Sequence, residues 1–170
     1  MKWNGVIGML KVLHNARLED GRLVNLHIND DRIEAITELQ KPSPLSENGM
    51  DLNGWLVIPS MAEPHAHLDK ALTAESVPNP AGDLSGAIEA WIAATASGVI
   101  TYEDTVDRAV EAMRLLVSKG VTAVRSHVNV ASGSRALEAV REARKIVADL
   151  IDVQIVALTI NPMTGPEGTD

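Results

Sequence analysis

A chain of 170 residues with 45% apolar side chains has the length of one ordinary domain and the means to bury about 70% of its unfolded surface. Its 23 acidic against 15 basic residues give a net charge of −8, which repels phosphate backbones and anionic bilayers, so neither nucleic acid nor a membrane surface is an expected partner. The absence of cysteine excludes disulfides and thiolate metal sites, leaves imidazole nitrogen and carboxylate oxygen as the available ligands, and fits a cytoplasmic setting.

With three Trp, one Tyr and no Phe, the core must be aliphatic and no stacking platform for single-stranded nucleic acid is available. The uncharged span Ala90 to Tyr102 is too short and too polar to cross a bilayer, and the run Val6 to Leu13 is interrupted by Lys11.

From Met1 to about Gln40 the chain alternates short extended runs with turn signals. Gly5 to Ile7, Leu10 to Leu13, Leu23 to Ile28 and Arg32 to Ile36 read as strands, with hairpin turns at Asp20-Gly21 and Asn29-Asp30-Asp31. Val24, Leu26 and Ile28 alternate as a strand with one buried face does. His14 and His27 have no partner at strand spacing and read as surface or structural histidines. The Pro, Ser, Asn and Gly cluster from Lys41 to Asn53 divides residues 1–53 from residues 54–170.

Leu56, Val57 and Ile58 then read as a buried strand, and Pro59 and Pro64 keep the chain extended. His65 and His67 come next. In extended backbone, side chains two apart share a face roughly 7 Å apart, so both imidazoles can converge on one cation while Ala66 faces away. The plain alternative is a pair of partly exposed histidines beside a turn. Asp69 stands two residues later, placed to orient a ligand imidazole or to hydrogen-bond nearby backbone.

After a loop through Ser76 to Gly82, Asp83 caps a helix whose Leu84, Ala87, Ile88, Trp91 and Ile92 fall at helical spacing, as in a packed amphipathic helix. Thr101 opens a second helix with Val106, Val110, Met113 and Val117 on one stripe, closed by Gly120. Val121 to Val130 is a strand, Ala131 to Ser134 turns it into a third helix with Leu137, Val140, Ala143 and Val147, and Val153 to Ile160 is the next strand. This order predicts a parallel sheet covered on both faces, with the active site at the carboxyl ends of its strands. His65, His67, His127, Asn129 and Asn161 fall at such ends.

The stretch Glu63-Pro-His-Ala-His-Leu-Asp-Lys70 at the end of an apolar run resembles the first barrel strand of the amidohydrolase superfamily, most closely its cytosine-deaminase-like branch. Residues 14–36 resemble the N-terminal β-sandwich portion of such proteins, Gly82 to Trp91 resembles the segment after their first strand, and Arg125-Ser-His-Val-Asn129 resembles their second strand. The resemblance implies an α/β protein: a small N-terminal β-sandwich portion, then the first three βα units of an incomplete TIM-like (β/α)8 barrel. A full barrel takes about 250 residues, whereas about 115 remain after Gly54.

The activity implied is metal-dependent hydrolysis of a C–N bond in a nitrogen heterocycle: cytosine-like, a triazine or a cyclic amidine. His65 and His67 would hold one divalent ion, zinc or iron, which acidifies water from near 15.7 toward roughly 7. Leu84, His127 and Asn161 are the candidate substrate contacts, with a buried structural role as the alternative for His127. Cytosine-specific relatives carry a glutamine just past the third strand, where this chain has Thr159-Ile-Asn-Pro-Met163. The family's remaining metal ligands and its acid/base glutamate lie beyond what the resemblance covers, so no catalytic acid or base is assigned, and the segment is expected to need more chain for activity. From another class, the same residues are compatible with a non-catalytic α/β interaction module or an inactive truncated fragment. An open sheet edge also predicts association, including self-association.

Overall fold

The computed structural model describes residues 10–39, 41, 44–131 and 133–159. The chain divides into two compact units, Met1–Pro59 and Ser60–Asp170.

In the first unit, β1 (Val12–Arg17), β2 (Leu23–Asn29), β3 (Arg32–Glu38) and β4 (Gly49–Asp51) form one sheet in the order β3-β2-β1-β4. The two hairpins are antiparallel and β4 runs parallel to β1. Both expected turns carry a residue in the left-handed region, Gly21 at φ 87° and Asp30 at φ 54°, which Gly and Asp tolerate best. Ala16, Val24 and Leu26 make the buried core. β1 extends further than its apolar residues suggest because it continues through a bulge: Leu13 pairs with Leu26 and Ala16 with Val24, with Asn15 at φ 55° between them. Among the described residues this unit is a single sheet rather than two stacked layers. The run Gly5 to Ile7 lies outside them.

His14, on β1, is buried. Its Nε2 accepts from the Ser46 backbone N–H at 3.0 Å and lies 2.9 Å from the Ser46 hydroxyl. A Cβ placed on Gly49 would come within 2.5 Å of the His14 ring. Gly49→Ala is therefore expected to destabilise this unit by about 1–3 kcal/mol, as overpacking does. Urea unfolding monitored by circular dichroism checks this, and an unshifted midpoint would show that the ring moves aside freely.

Leu56, Val57 and Ile58 do not form the strand that bears the histidines. The backbone there runs beside the end of β1, with Arg17 N–H donating to the Trp55 carbonyl and Val57 N–H to the Arg17 carbonyl, and Leu56 and Ile58 are exposed. These apolar residues prolong the first unit's pairing up to Pro59, which has no N–H to continue a ladder.

The second unit runs β5 (Met61–Ala66), α1 (Leu84–Ala96), α2 (Tyr102–Ser118), β6 (Val121–Asn129), α3 (Arg135–Ile146) and β7 (Asp152–Leu158). Its three strands are parallel in the order β5-β6-β7. Caps set the helix starts: Asp83 Oδ1 accepts from Gly86 N–H at 2.7 Å, and Thr101 Oγ1 from Asp104 N–H at 3.1 Å. Gly120, at φ 85°, ends the turn after α2. Val106, Val110 and Met113 of α2 and Ala139, Val140 and Ala143 of α3 pack with Val124, Val128 and Val153 of the sheet around Leu68.

Two expectations fail here. The sheet is covered on one face only among the described residues, since Arg125 and Gln154 lie on the other, exposed and bonded to each other at 2.7 Å. Val124, Ser126 and Val128 of β6 are buried on the covered face, and Arg125, His127 and Asn129 alternate with them. Helix α1 is not packed: Leu84, Ile88 and Ile92 are exposed and Ala94 is its one buried residue. Its sequence is apolar nearly all round, so periodicity could not tell which side would be covered. No described helix is long and apolar enough to cross a membrane.

Candidate metal centre

The two histidines are brought together by an irregularity in β5. Glu63 pairs with Val124 and Ala66 with Ser126, so β5 advances three residues where β6 advances two. Such a bulge re-aims side chains, and Pro64 sits in it without an N–H to lose. The His65 N–H is taken up by the Glu63 carboxylate, with Oε1 accepting at 2.9 Å. Glu63 thus closes the bulge locally.

The result is a cluster of three imidazoles at the carboxyl ends of β5 and β6. Ring centroids lie 5.3 Å apart for His65 and His67, 4.3 Å for His65 and His127, and 6.0 Å for His67 and His127. Ser126 is fully buried on the helix-covered side while its neighbour His127 joins the histidines, as alternation along a strand requires. His67 Nδ1 donates to the His127 carbonyl at 2.8 Å, which places the ring proton on Nδ1 and leaves the Nε2 lone pair for a ligand. An outer hydrogen bond of this kind is typical of metal-ligating histidine.

Burial pushes the His127 imidazole below its ordinary pKa, helped by the charges of His65, His67 and Arg125 and opposed by a hydrogen bond with the Ala66 backbone. His127 is therefore neutral at neutral pH. The unfolded chain takes up this proton near 6.5 and the folded chain only at lower pH. The residue's contribution to stability is thus complete above that value and is lost as pH falls from there through the depressed one. A 15N titration of the ring is expected to show a midpoint below 6.5, and a midpoint at or above it would contradict the burial argument.

Beyond Ala66 the chain turns, and among the described residues Asp69 is hydrogen-bonded to Lys70 and Asn129 rather than to an imidazole. Its Oδ2 accepts from Lys70 Nζ at 2.6 Å and from Asn129 N–H at 3.3 Å. Arg108 of α2, which sequence reasoning missed, donates to the Ala71 carbonyl at 2.6 Å, to that of Asp69 at 3.3 Å and to Asp104 Oδ2 at 2.9 Å. The Asp104 to Arg108 spacing of four was the only signal for it. Lys70 Nζ also lies 5.4 Å from the Trp91 ring centroid. Leu84 stands at the exposed first turn of α1 and is not brought to the histidines by any contact described; Asn161 lies outside the described residues.

A cleft of about 240 Å³ lies between β5, carrying Glu63, His65 and His67, and the apolar residues Ala112, Leu115 and Leu116 of α2. It falls short of the roughly 300 Å³ at which small-molecule pockets begin. Among the described residues no three His, Cys, Asp or Glu side chains form a group that could hold a metal ion. The residues that could contribute to a metal site are thus the pair His65 and His67.

No family model matches the chain. N-isopropylammelide isopropyl amidohydrolase of Pseudomonas sp. (strain ADP) is 31% identical over 154 residues, which is 86% of this chain and 37% of that protein. The crystal structure of 5-methylcytosine deaminase from Klebsiella pneumoniae, liganded with 5-fluorocytosine, matches with a TM-score of 0.79 and 39% identity over 86% of this chain and 36% of its own.

These homologues and structural neighbours are members of the amidohydrolase superfamily.

They include a cytosine deaminase, in keeping with the resemblance carried by the residues around His65 and His67. N-isopropylammelide isopropylaminohydrolase from Burkholderia multivorans ATCC 17616 matches at 26% identity and a TM-score of 0.69, over 86% of this chain and 37% of that one. The chain spans little more than a third of the length of the relatives it matches, consistent with an N-terminal part. The relatives are hydrolytic enzymes by name, acting on heterocycles.

Proposed function

We propose that this chain is the N-terminal portion, residues 1–53 a β-sandwich part and residues 54–170 the opening βα units of a (β/α)8 barrel, of a metal-dependent amidohydrolase. The reaction is hydrolysis of a C–N bond in a nitrogen heterocycle, with cytosine-like rings, triazines and cyclic amidines as the substrate class. The single observation that carries this is the convergence of His65 and His67, 5.3 Å apart at the end of a parallel strand, with the His67 proton held on Nδ1.

His65 and His67 would supply two of the three protein nitrogens or oxygens usual around a catalytic zinc, and the rest must come from outside the described residues. When bound, a divalent zinc or iron ion supplies Lewis acidity and lowers the pKa of water. The chain's own residues hold the imidazoles in place. His127, neutral and beside both rings at the end of β6, is assigned to the wall that a substrate ring faces. Leu84 and Asn161 are assigned substrate contact on the family resemblance alone.

A second reading, an α/β module that works by association, is favoured by the exposed Leu84, Ile88 and Ile92 on α1. Elemental analysis and zinc titration of the purified chain separate the two. Uptake of one ion that depends on His65 and His67 supports the first; no uptake by a chain that sediments as a dimer supports the second.

A further inference from the structure

We propose that Ser126 and Asp69 are positioning residues for the histidine pair, tying the turn after His67 onto the end of β6 and so setting the His67 ring. The role assigned to that ring rests on the metal reading above; the tie itself does not.

The pairing of β5 with β6 stops at Ala66 and Ser126. Past that point the two chains would separate, yet three bonds through side chains continue the seam. His67 Nδ1 donates to the His127 carbonyl at 2.8 Å, Leu68 N–H donates to Ser126 Oγ at 3.0 Å, and Asn129 N–H donates to Asp69 Oδ2 at 3.3 Å. The first sets the tautomer of His67, and the other two follow it one and two residues on. A buried hydroxyl and a buried carboxylate are costly to keep in a core unless each is bonded. Ser126 is 0% and Asp69 1% exposed, and Asp69 Oδ1 has no partner among the described residues. An apolar pair would fill the same space without that cost but could not accept from the Leu68 and Asn129 N–H groups. Arg108 supports the turn from α2 through the carbonyls of Asp69 and Ala71.

The full chain carrying Ser126→Ala, Asp69→Ala or Asp69→Asn tests this with two readouts: 15N shifts of the imidazoles without metal, and zinc titration. Ser126→Ala removes only a hydroxyl, so it keeps the test alive if Asp69→Ala does not fold. In the unsubstituted chain His67 is expected to carry its proton on Nδ1. Ser126→Ala and Asp69→Ala are expected to mix the tautomers and to weaken zinc binding about 10- to 100-fold, the usual effect of losing an outer partner. Asp69→Asn keeps an oxygen for Asn129 N–H and is expected to retain both properties. An unchanged His67 tautomer in Ser126→Ala and Asp69→Ala overturns the proposal. Equal loss in Asp69→Asn and Asp69→Ala overturns it too, by moving the effect to the Lys70 ion pair. If the unsubstituted chain takes up no zinc, the metal reading fails, while the tautomer measurement still decides the positioning role.

Discussion

Replacing His67 with alanine is expected to abolish zinc binding by this chain, and His65→Ala to do the same. Of the three clustered imidazoles, His65 and His67 are the two assigned as ligands, with ring centroids 5.3 Å apart. Removing either leaves a single ligand, and one imidazole does not distinguish the site from any other histidine on the surface. The loss should therefore exceed the roughly 10- to 100-fold expected when an outer hydrogen-bond partner is removed. His67→Ala carries a second effect, because its Nδ1 bond to the His127 carbonyl also disappears. That variant removes one of the three bonds that continue the seam between β5 and β6, where His65→Ala leaves all three. Isothermal titration with zinc checks both, with His27→Ala as the control: its Nε2 meets Thr37 Oγ1 on an exposed face of the first unit, and its loss should change nothing. Zinc uptake that survives His67→Ala, or that falls equally in His27→Ala, would place the ion elsewhere.

The histidine pair was legible in the sequence because its spacing and the prolines around it are local facts. The mechanism that turns the rings together was not. Strand periodicity puts residues two apart on one face, but here the bulge at Pro64 and His65 does part of the work, closed by Glu63 from two residues before. That depends on the register against β6, some 60 residues away in the chain. The helix starts at Asp83 and Thr101 were equally readable, since a cap acts within one turn.

The apolar stripes of α2 and α3 are buried as their spacing implies, whereas two other apolar stretches are not covered as expected. Leu56 to Ile58 are as hydrophobic as a buried strand, yet Leu56 and Ile58 lie exposed along the end of β1, and α1 shows an apolar stripe that nothing among the described residues covers. Hydrophobicity measures the tendency to be buried and carries no address. Ser126 and Arg108 went unread for the complementary reason: each acts through a backbone group far off in sequence, Leu68 N–H for one and the Ala71 carbonyl for the other. His127 could be placed at a strand end but not beside His65, because that needs the offset of β5 against β6.

The largest stability effect should come from Leu68→Ala, at about 2–5 kcal/mol. Leu68 is 2% exposed and sits among Val128, Val140 and the other residues of the second unit's core. Truncation removes its buried methyl groups and leaves a cavity that surrounding helices only partly fill. Against a typical total of about 5–15 kcal/mol that is a large fraction. The side chain also anchors the turn immediately after His67, whose next N–H binds Ser126, so the site should loosen before the unit unfolds. Denaturant titration is expected to show a lower midpoint with an unchanged slope, since the surface exposed on unfolding is nearly the same. Zinc affinity measured well below that midpoint should also fall. A lost midpoint with intact zinc binding would show that the core and the histidines are held independently, and that the seam through Ser126 and Asp69 is sufficient without Leu68 beneath it.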